Sequence, residues 1–242
     1  MKKLVAEGIS LALGGEKIIE DVSLTLCEGE IVSLLGVSGS GKTTVFNVLS
    51  GLLKPDEGRV LLEGKDITGK PGRVSYMLQK DMLLRHLTVV DNVSLPLILK
   101  GTKKKEARER ARLLFPDFGL EGTEKKYPSE LSGGMKQRCA FLRTYLTGAD
   151  VALLDEPFSA LDTLTKASVH RWYMDIMEKI KLSTVLVTHD IDEAVLLSDR
   201  VYILSGKPGK ITAEIKIGIP RPRDPLSDEF ISYKREIIEK IV

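Results

Sequence analysis

Val22, Leu24 and Leu26 alternate with Ser23, Thr25 and Cys27, the two-residue period of a half-buried strand. Residues 4–35 read as β-rich around them, with turn signals at Gly14-Gly15 and Glu28-Gly29. Ile31–Leu35 is an uninterrupted apolar run that stops at Gly36, which predicts a buried strand of a parallel sheet. The period then lengthens. Val45, Val48, Leu49 and Leu52 recur at helical spacing, predicting a helix over Thr43–Leu53 that Pro55 and Gly58 stop. Arg59–Leu62 and Val74–Leu78 read as further strands. From Lys80 to Gly148 the pattern is helical. Lys103–Phe115 sets Ala107, Ala111 and Leu114 against a charged face, and Met135–Leu146 places Met135, Cys139, Leu142 and Leu146 on one side. Strands return at Val151–Leu154, Thr184–Val187 and Val201–Leu204, with helices between them. Strands that each lead to a helix imply parallel pairing. The helical block therefore interrupts an α/β core and reads as an inserted subdomain. After Pro220 comes an amphipathic stretch, Phe230–Ile241.

Composition narrows this picture. A chain of 242 residues can bury a sizeable core as one domain with a subdomain, or as two small domains. Hydrophobic residues at 43% and charged residues at 29% describe a soluble globular protein. A net charge of +2 gives no electrostatic footprint for nucleic acid. Cys27 and Cys139 supply neither a disulfide framework nor metal-ligand spacing and read as small core residues. His86, His170 and His189 lie too far apart in sequence for a local metal motif. The longest apolar stretch, Val89–Leu99, is broken by Asp91, Asn92 and Pro96 and is too short to span a bilayer. Met1-Lys2-Lys3 leads into no apolar leader core, so a cytosolic location is expected unless another protein holds the chain at a membrane. The basic run Lys100–Arg112 reads as a solvated helix face.

Three segments carry chemistry. Gly36-Val37-Ser38-Gly39-Ser40-Gly41-Lys42-Thr43 follows an apolar strand and opens a helix, with the spacing of a phosphate-binding loop. Its glycines let backbone N–H groups approach phosphate, and the helix N-terminus adds partial positive charge. Lys42 can reach the outer phosphates, and Thr43 offers a hydroxyl to Mg²⁺. Val151–Leu154 ends in Asp155-Glu156. Asp155 would hold the ion directly or through water, and Glu156 could orient or deprotonate a water. The apolar strand Thr184–Thr188 ends in His189-Asp190, at the edge where ligands bind in α/β sheets, so His189 can contact the γ-phosphate. Gln79 follows its own strand at the junction with the helical block. It can reach Mg²⁺ or the attacking water and is a candidate hinge. His86 and His170 lack such a setting and read as surface or structural. Between the loop and the acidic pair, Ser132-Gly133-Gly134 opens another helix. One nucleotide cannot easily touch both helix entries of one chain, which points to a site completed by a partner subunit.

In this order the segments resemble the ATP-binding-cassette ATPases, the motor subunits of ABC transporters, over nearly the whole chain. Gly36–Thr43 is similar to Walker A, and Val151–Glu156 to Walker B with Glu156 as general base. Gln79 resembles the Q-loop, Ser159-Ala160-Leu161-Asp162 the D-loop and His189 the switch histidine. Leu131-Ser132-Gly133-Gly134-Met135, followed by Lys136-Gln137-Arg138, is similar to the signature motif. The resemblance implies one ABC ATPase domain over 1–242 with a P-loop NTPase fold. A RecA-like α/β core with an antiparallel β subdomain would occupy 1–79 and 149–242, and an α-helical subdomain 80–148. It implies ATP and Mg²⁺ as cofactors. Gly36–Thr44, Leu13 and, from the other subunit, Ser132, Gly133 and Gly134 would face the nucleotide. Thr43, Gln79 and Asp155 would face the metal. It further implies a head-to-tail homodimer, or a pair with another ATPase subunit, enclosing two ATPs. The partners would be an integral membrane permease docking near Asp81–Asn92 and, indirectly, a solute-binding protein. The chain would sit peripherally on the cytoplasmic face of the cell membrane and bind no nucleic acid.

Two departures are informative. The family usually stacks an aromatic ring on adenine where this chain has Leu13, so contact there would be aliphatic. The signature ends in Met135 instead of glutamine. With Pro71-Gly72-Arg73 and Pro220-Arg221-Pro222-Arg223-Asp224, that variant resembles the nitrate/sulfonate/taurine-type importers, a group in which some members take up thiamine precursors. The alternative is a soluble member acting on DNA or ribosomes. Those carry a long coiled-coil insertion or two cassettes in one chain, neither of which fits in 242 residues. A nucleotide-binding regulatory module without turnover is disfavoured by Glu156.

Overall fold

The computed structural model describes residues 1–241. Val242, the last residue of the expected domain, lies outside the described residues. The alternating N-terminal segment forms a long hairpin, β1 (Lys2–Leu13) with β2 (Glu16–Cys27), and the apolar run forms β3 (Ile31–Leu35). Helix α1 (Lys42–Leu49) follows. It ends before the expected Leu53, at a Ser50 cap whose hydroxyl donates back to Asn47 O at 3.1 Å. Strands β4 (Glu57–Leu62) and β5 (Lys65–Asp66) join the hairpin in an antiparallel sheet of order β2-β1-β4-β5.

The helical block follows β6 (Ser75–Met77) and contains α2 (Val89–Leu99), α3 (Lys104–Arg112) and α4 (Gly133–Tyr145). The apolar α2 tolerates Asp91 because Arg108 of α3 grips it with both arms, at 2.8 and 2.7 Å, a bidentate charge-assisted pair. The basic face of α3 is thus partly an anchor between helices as well as a solvated surface. The core resumes with β7 (Val151–Asp155), α5 (Thr163–Ile180), β8 (Ser183–Thr188), α6 (Ile191–Leu197) and β9 (Arg200–Ser205). A further strand, β10 (Lys210–Lys216), precedes α7 (Asp228–Ile241). The periodicity reading contained no β10, and it runs antiparallel to β9.

The second sheet has the order β10-β9-β3-β8-β7-β6. Its pairings from β9 to β6 are parallel. One apolar core lies between this sheet and α4 and α5, around Phe118, Phe141 and Tyr173. A second joins the two sheets with α1, around Phe46, Leu34 and Leu26. Cys139 is buried in the first core, where burial pushes its thiol up to about 12. Helix α7 buries Phe230 and Ile237 against Val195, Val201 and Ile203, the packing that its amphipathic pattern predicts.

Candidate functional site

Sheet order assembles the site. β3, β8, β7 and β6 are successive neighbours, with Leu35 paired to Thr188, Asp155 to Val187 and Met77 to Leu154. Each strand is followed at its C-terminal end by one of the candidate segments. These are Gly36–Thr43 after β3, His189 after β8, Glu156 after β7 and Gln79 just beyond β6. This is the edge of an open α/β sheet at which ligands bind.

The loop between β3 and α1 turns at Gly41, whose φ of 95° is left-handed, a conformation costly for any residue with a Cβ. Lys42 folds back over the loop, with Nζ donating to Gly36 O at 2.8 Å and Val37 O at 2.9 Å. Burial lowers its pKa, against the opposing charges of Glu156 and Asp155. A cleft of about 560 Å³ opens above the loop. Ser38, Gly39, Gly41, Lys42, Thr43 and Thr44 line one side of it, and Gln79, Glu156 and His189 the other.

Glu156 is the node on that far side. It is a non-glycine residue at φ 44°, a placement that costs on the order of 1–3 kcal/mol and persists only where the surroundings over-determine it. Its amide donates to Val187 O at 3.0 Å. Gln79 Nε2 donates to Glu156 Oε2 at 3.1 Å, and His189 Nδ1 lies 3.2 Å from Glu156 Oε1. Asp155 is buried beneath, where burial first and Glu156 second raise its pKa. Tyr76 Oη lies 3.4 Å from Asp155 Oδ2 and from Asn47 Oδ1, sharing its one weak O–H donor between them.

Several residues stand apart from this cleft. Leu13 ends β1 at 45% exposure and does not line it. From the paired strand β2 it is Ile18 that does. Ser132, Gly133 and Gly134 start α4 and contribute nothing to the cleft of their own chain. Ser132 Oγ accepts from Met135 N at 3.3 Å and so caps α4, while Gly134 is buried against α5. His86 is exposed. His170 is buried and touches Phe158 and Glu193.

Sequence reasoning missed three supports, Ile18, Tyr76 and Gly209. Gly209 lies in the β9–β10 turn and packs on the phosphate loop so closely that a Cβ there would sit 2.0 Å from Ser40 O. No local pattern marks any of the three, because each acts on the loop or on Asp155 from another part of the fold.

The family model described as "ABC transporter" matches residues 19–159, more than half of the chain. The chain belongs to the ABC transporter family. It is 44% identical to the formylaminopyrimidine import ATP-binding protein ThiZ of Halalkalibacterium halodurans, over 98% of this chain and 93% of that protein. It is 36% identical to the aliphatic sulfonates import ATP-binding protein SsuB of Bacillus cereus, again over 98% and 93%. Among solved structures, the dimeric post-hydrolysis state of the ATP-binding cassette MJ0796, bound to ADP and Pi, superposes with a TM-score of 0.75. It shows 30% identity and covers 90% of this chain and 100% of that one. The ADP conformation of the cassette MJ1267 gives a TM-score of 0.79 at 26% identity, covering 89% and 91%. The fold is that of a P-loop NTPase. The protein is the ATP-hydrolysing motor subunit of an ABC importer. No helix among the described residues is long and apolar enough to cross a membrane.

Proposed function

We propose that this ABC subunit works as a head-to-tail homodimer in which each ATP lies between one chain's Gly36–Thr44 and the other chain's Ser132–Gly134. The observation that carries the reading is the separation of the two half-sites. The cleft over the phosphate loop is lined by Gln79, Glu156 and His189 but by nothing from the N-terminus of α4, although that helix start leaves Ser132 and Gly133 exposed. A second copy, arranged as in a dimeric cassette such as MJ0796, would bring the α4 N-terminus and its dipole to the terminal phosphate.

Within the closed site, Lys42 and the loop amides hold the phosphates, and Glu156 takes the proton of the attacking water. Gln79 and His189 already hold the two oxygens of that carboxylate. Asp155, Thr43 and Gln79 present the oxygen donors that Mg²⁺ prefers. The donor set fits the ion, because Asp155 is a buried carboxylate whose ionised form is disfavoured and would be stabilised by a divalent charge. When bound, Mg²⁺ would neutralise charge on the β- and γ-phosphates. Ile18, which lines the cleft, offers aliphatic contact to the base, whereas Leu13 lies outside it.

The permease would dock on the segment Asp81–Asn92, where Met82 and Leu84 are exposed. Arg143 of α4 holds this segment through the carbonyls of Asp81 and Met82. The subunit would thus sit peripherally on the cytoplasmic face of the cell membrane, with a solute-binding protein delivering cargo from the other side. The relatives named for formylaminopyrimidine and for aliphatic sulfonates support a small organic nutrient as that cargo. Glu156→Gln is the test. The variant is expected to bind ATP, to elute as a dimer when ATP is present, and to lose hydrolysis. Turnover at the wild-type rate would remove Glu156 as the base.

A further inference from the structure

Helix α5 follows the segment Ser159–Asp162, with the Asp162 carboxylate capping it by accepting from Thr165 N at 3.1 Å. One face of its first two turns lies against α4. A Cβ on Gly134 would sit 3.1 Å from both Thr165 Cγ2 and Val169 Cγ2. The other face carries Lys166, whose Nζ is 2.8 Å from Glu193 Oε1 and 3.2 Å from Asp190 Oδ2. Glu193 Oε2 accepts from Thr188 Oγ1 at 2.7 Å, and the same hydroxyl oxygen accepts from Asp190 N at 3.0 Å. Asp190 Oδ1 caps α6 by accepting from Asp192 N and Glu193 N at 2.9 and 3.3 Å.

His189 is the residue between Thr188 and Asp190. Both of its chain neighbours are fixed by this cluster, while its own side chain is 58% exposed and is touched by Glu156. Its direction therefore comes from that one contact and from the backbone that carries it. Glu193 is buried. Burial works to raise its pKa, yet His170, Lys166 and Thr188 overcome that and hold it at about 2, so the clamp is an ionised one at neutral pH.

We infer that Lys166 and Glu193 are positioning residues for His189, locking the β8–α6 turn to the first turns of α5 and so aiming the imidazole into the cleft. The inference rests on the role proposed above for His189 in turnover. It adds a mechanical consequence. The same two turns of α5 pack on the α4 N-terminus that serves the other chain's ATP, so one short rod joins the two half-sites within each subunit.

A double-mutant cycle in the full chain separates positioning from plain stabilisation. Lys166→Met should lower kcat for ATP hydrolysis about tenfold while ATP affinity stays within about threefold of wild type. In a His189→Ala background the same change should cost less than about twofold more, because both act through one side chain. If Lys166→Met does not yield folded protein, Glu193→Gln takes its place in the cycle. Independent, multiplying losses would overturn the inference, as would a wild-type kcat for the clamp variant, or a loss seen only in ATP affinity. A His189→Ala variant that turns over at the wild-type rate would instead remove the reading of His189 itself, and the inference with it.

Discussion

Gly209 is remote in sequence from the phosphate loop, yet it supports one of the sharpest expectations about ATP binding. Replacing it with alanine puts a methyl group 2.0 Å from Ser40 O, 3.2 Å from Ser40 C and 3.5 Å from Leu204 Cγ. A carbon–oxygen contact cannot persist much below about 3 Å, so loop and turn must separate by about 1 Å. Which side yields follows from how each is held. Gly209 N donates to Ile18 O at 2.9 Å and Gly209 O accepts from Glu20 N at 3.0 Å, which ties the turn to β2. Ser40 has one long amide bond, to Val37 O at 3.3 Å, and a buried hydroxyl with no hydrogen-bond partner among the described residues. The phosphate loop is the weaker side and should move. Overpacking of this kind costs about 1–3 kcal/mol. If that cost falls on the binding-competent loop, ATP affinity drops between about fivefold and about a hundredfold. Equilibrium titration with a fluorescent ATP analogue, alongside thermal unfolding, measures both quantities. Affinity within twofold of wild type would refute the reasoning. If the melting temperature fell with affinity unchanged, the turn would be the side that yields.

Three other outcomes test separate parts of the structure. Ser132→Arg should abolish turnover while a single chain still binds ATP, checked by steady-state hydrolysis against nucleotide titration. Full turnover would sink the composite site. Arg223 is buried and donates to Ile219 O at 2.9 Å and to Val195 O and Ser198 O at 2.6 Å each. Arg223→Met leaves those carbonyls unpaired and should cost about 3 kcal/mol or more in urea unfolding, with ATP affinity preserved. Glu193 is held at about 2 when folded, against an ordinary value near 4.5. Its folded-state pKa is depressed, so its stabilisation is full above about 4.5 and is lost as pH falls through about 2. Acid titration of wild type and Glu193→Gln should show a shallower loss in the variant across that window.

Much of the site was legible because its chemistry is contiguous. In Gly36–Thr43 the strand before, the glycine pattern and the helix after are local facts, and the same holds for Asp155-Glu156 at the end of an apolar strand. Helix boundaries shifted by a few residues where capping decided them, as at Ser50 and Ser132. Leu13 and Ile18 show the limit. Both lie near the hairpin turn, and only the pairing and twist of β1 and β2 put Ile18 over the loop and leave Leu13 at the turn. Arg108 is similar, since a charged helix face looks solvated until α2 brings Asp91 against it.

The sequence by itself determined most of the elements other than β10, the phosphate loop and the candidate acid and base groups, because strand and helix periods and loop chemistry are properties of neighbouring residues. The tertiary structure alone decided that Gln79, Glu156 and His189 meet at one carboxylate, that Gly209 buttresses Ser40, and that Lys166 reaches Glu193. Each of these contacts joins residues far apart in the chain. They exist because the sheet sets β9, β3, β8, β7 and β6 side by side and packs the helices between those strands against it, so that separate strand ends share one edge.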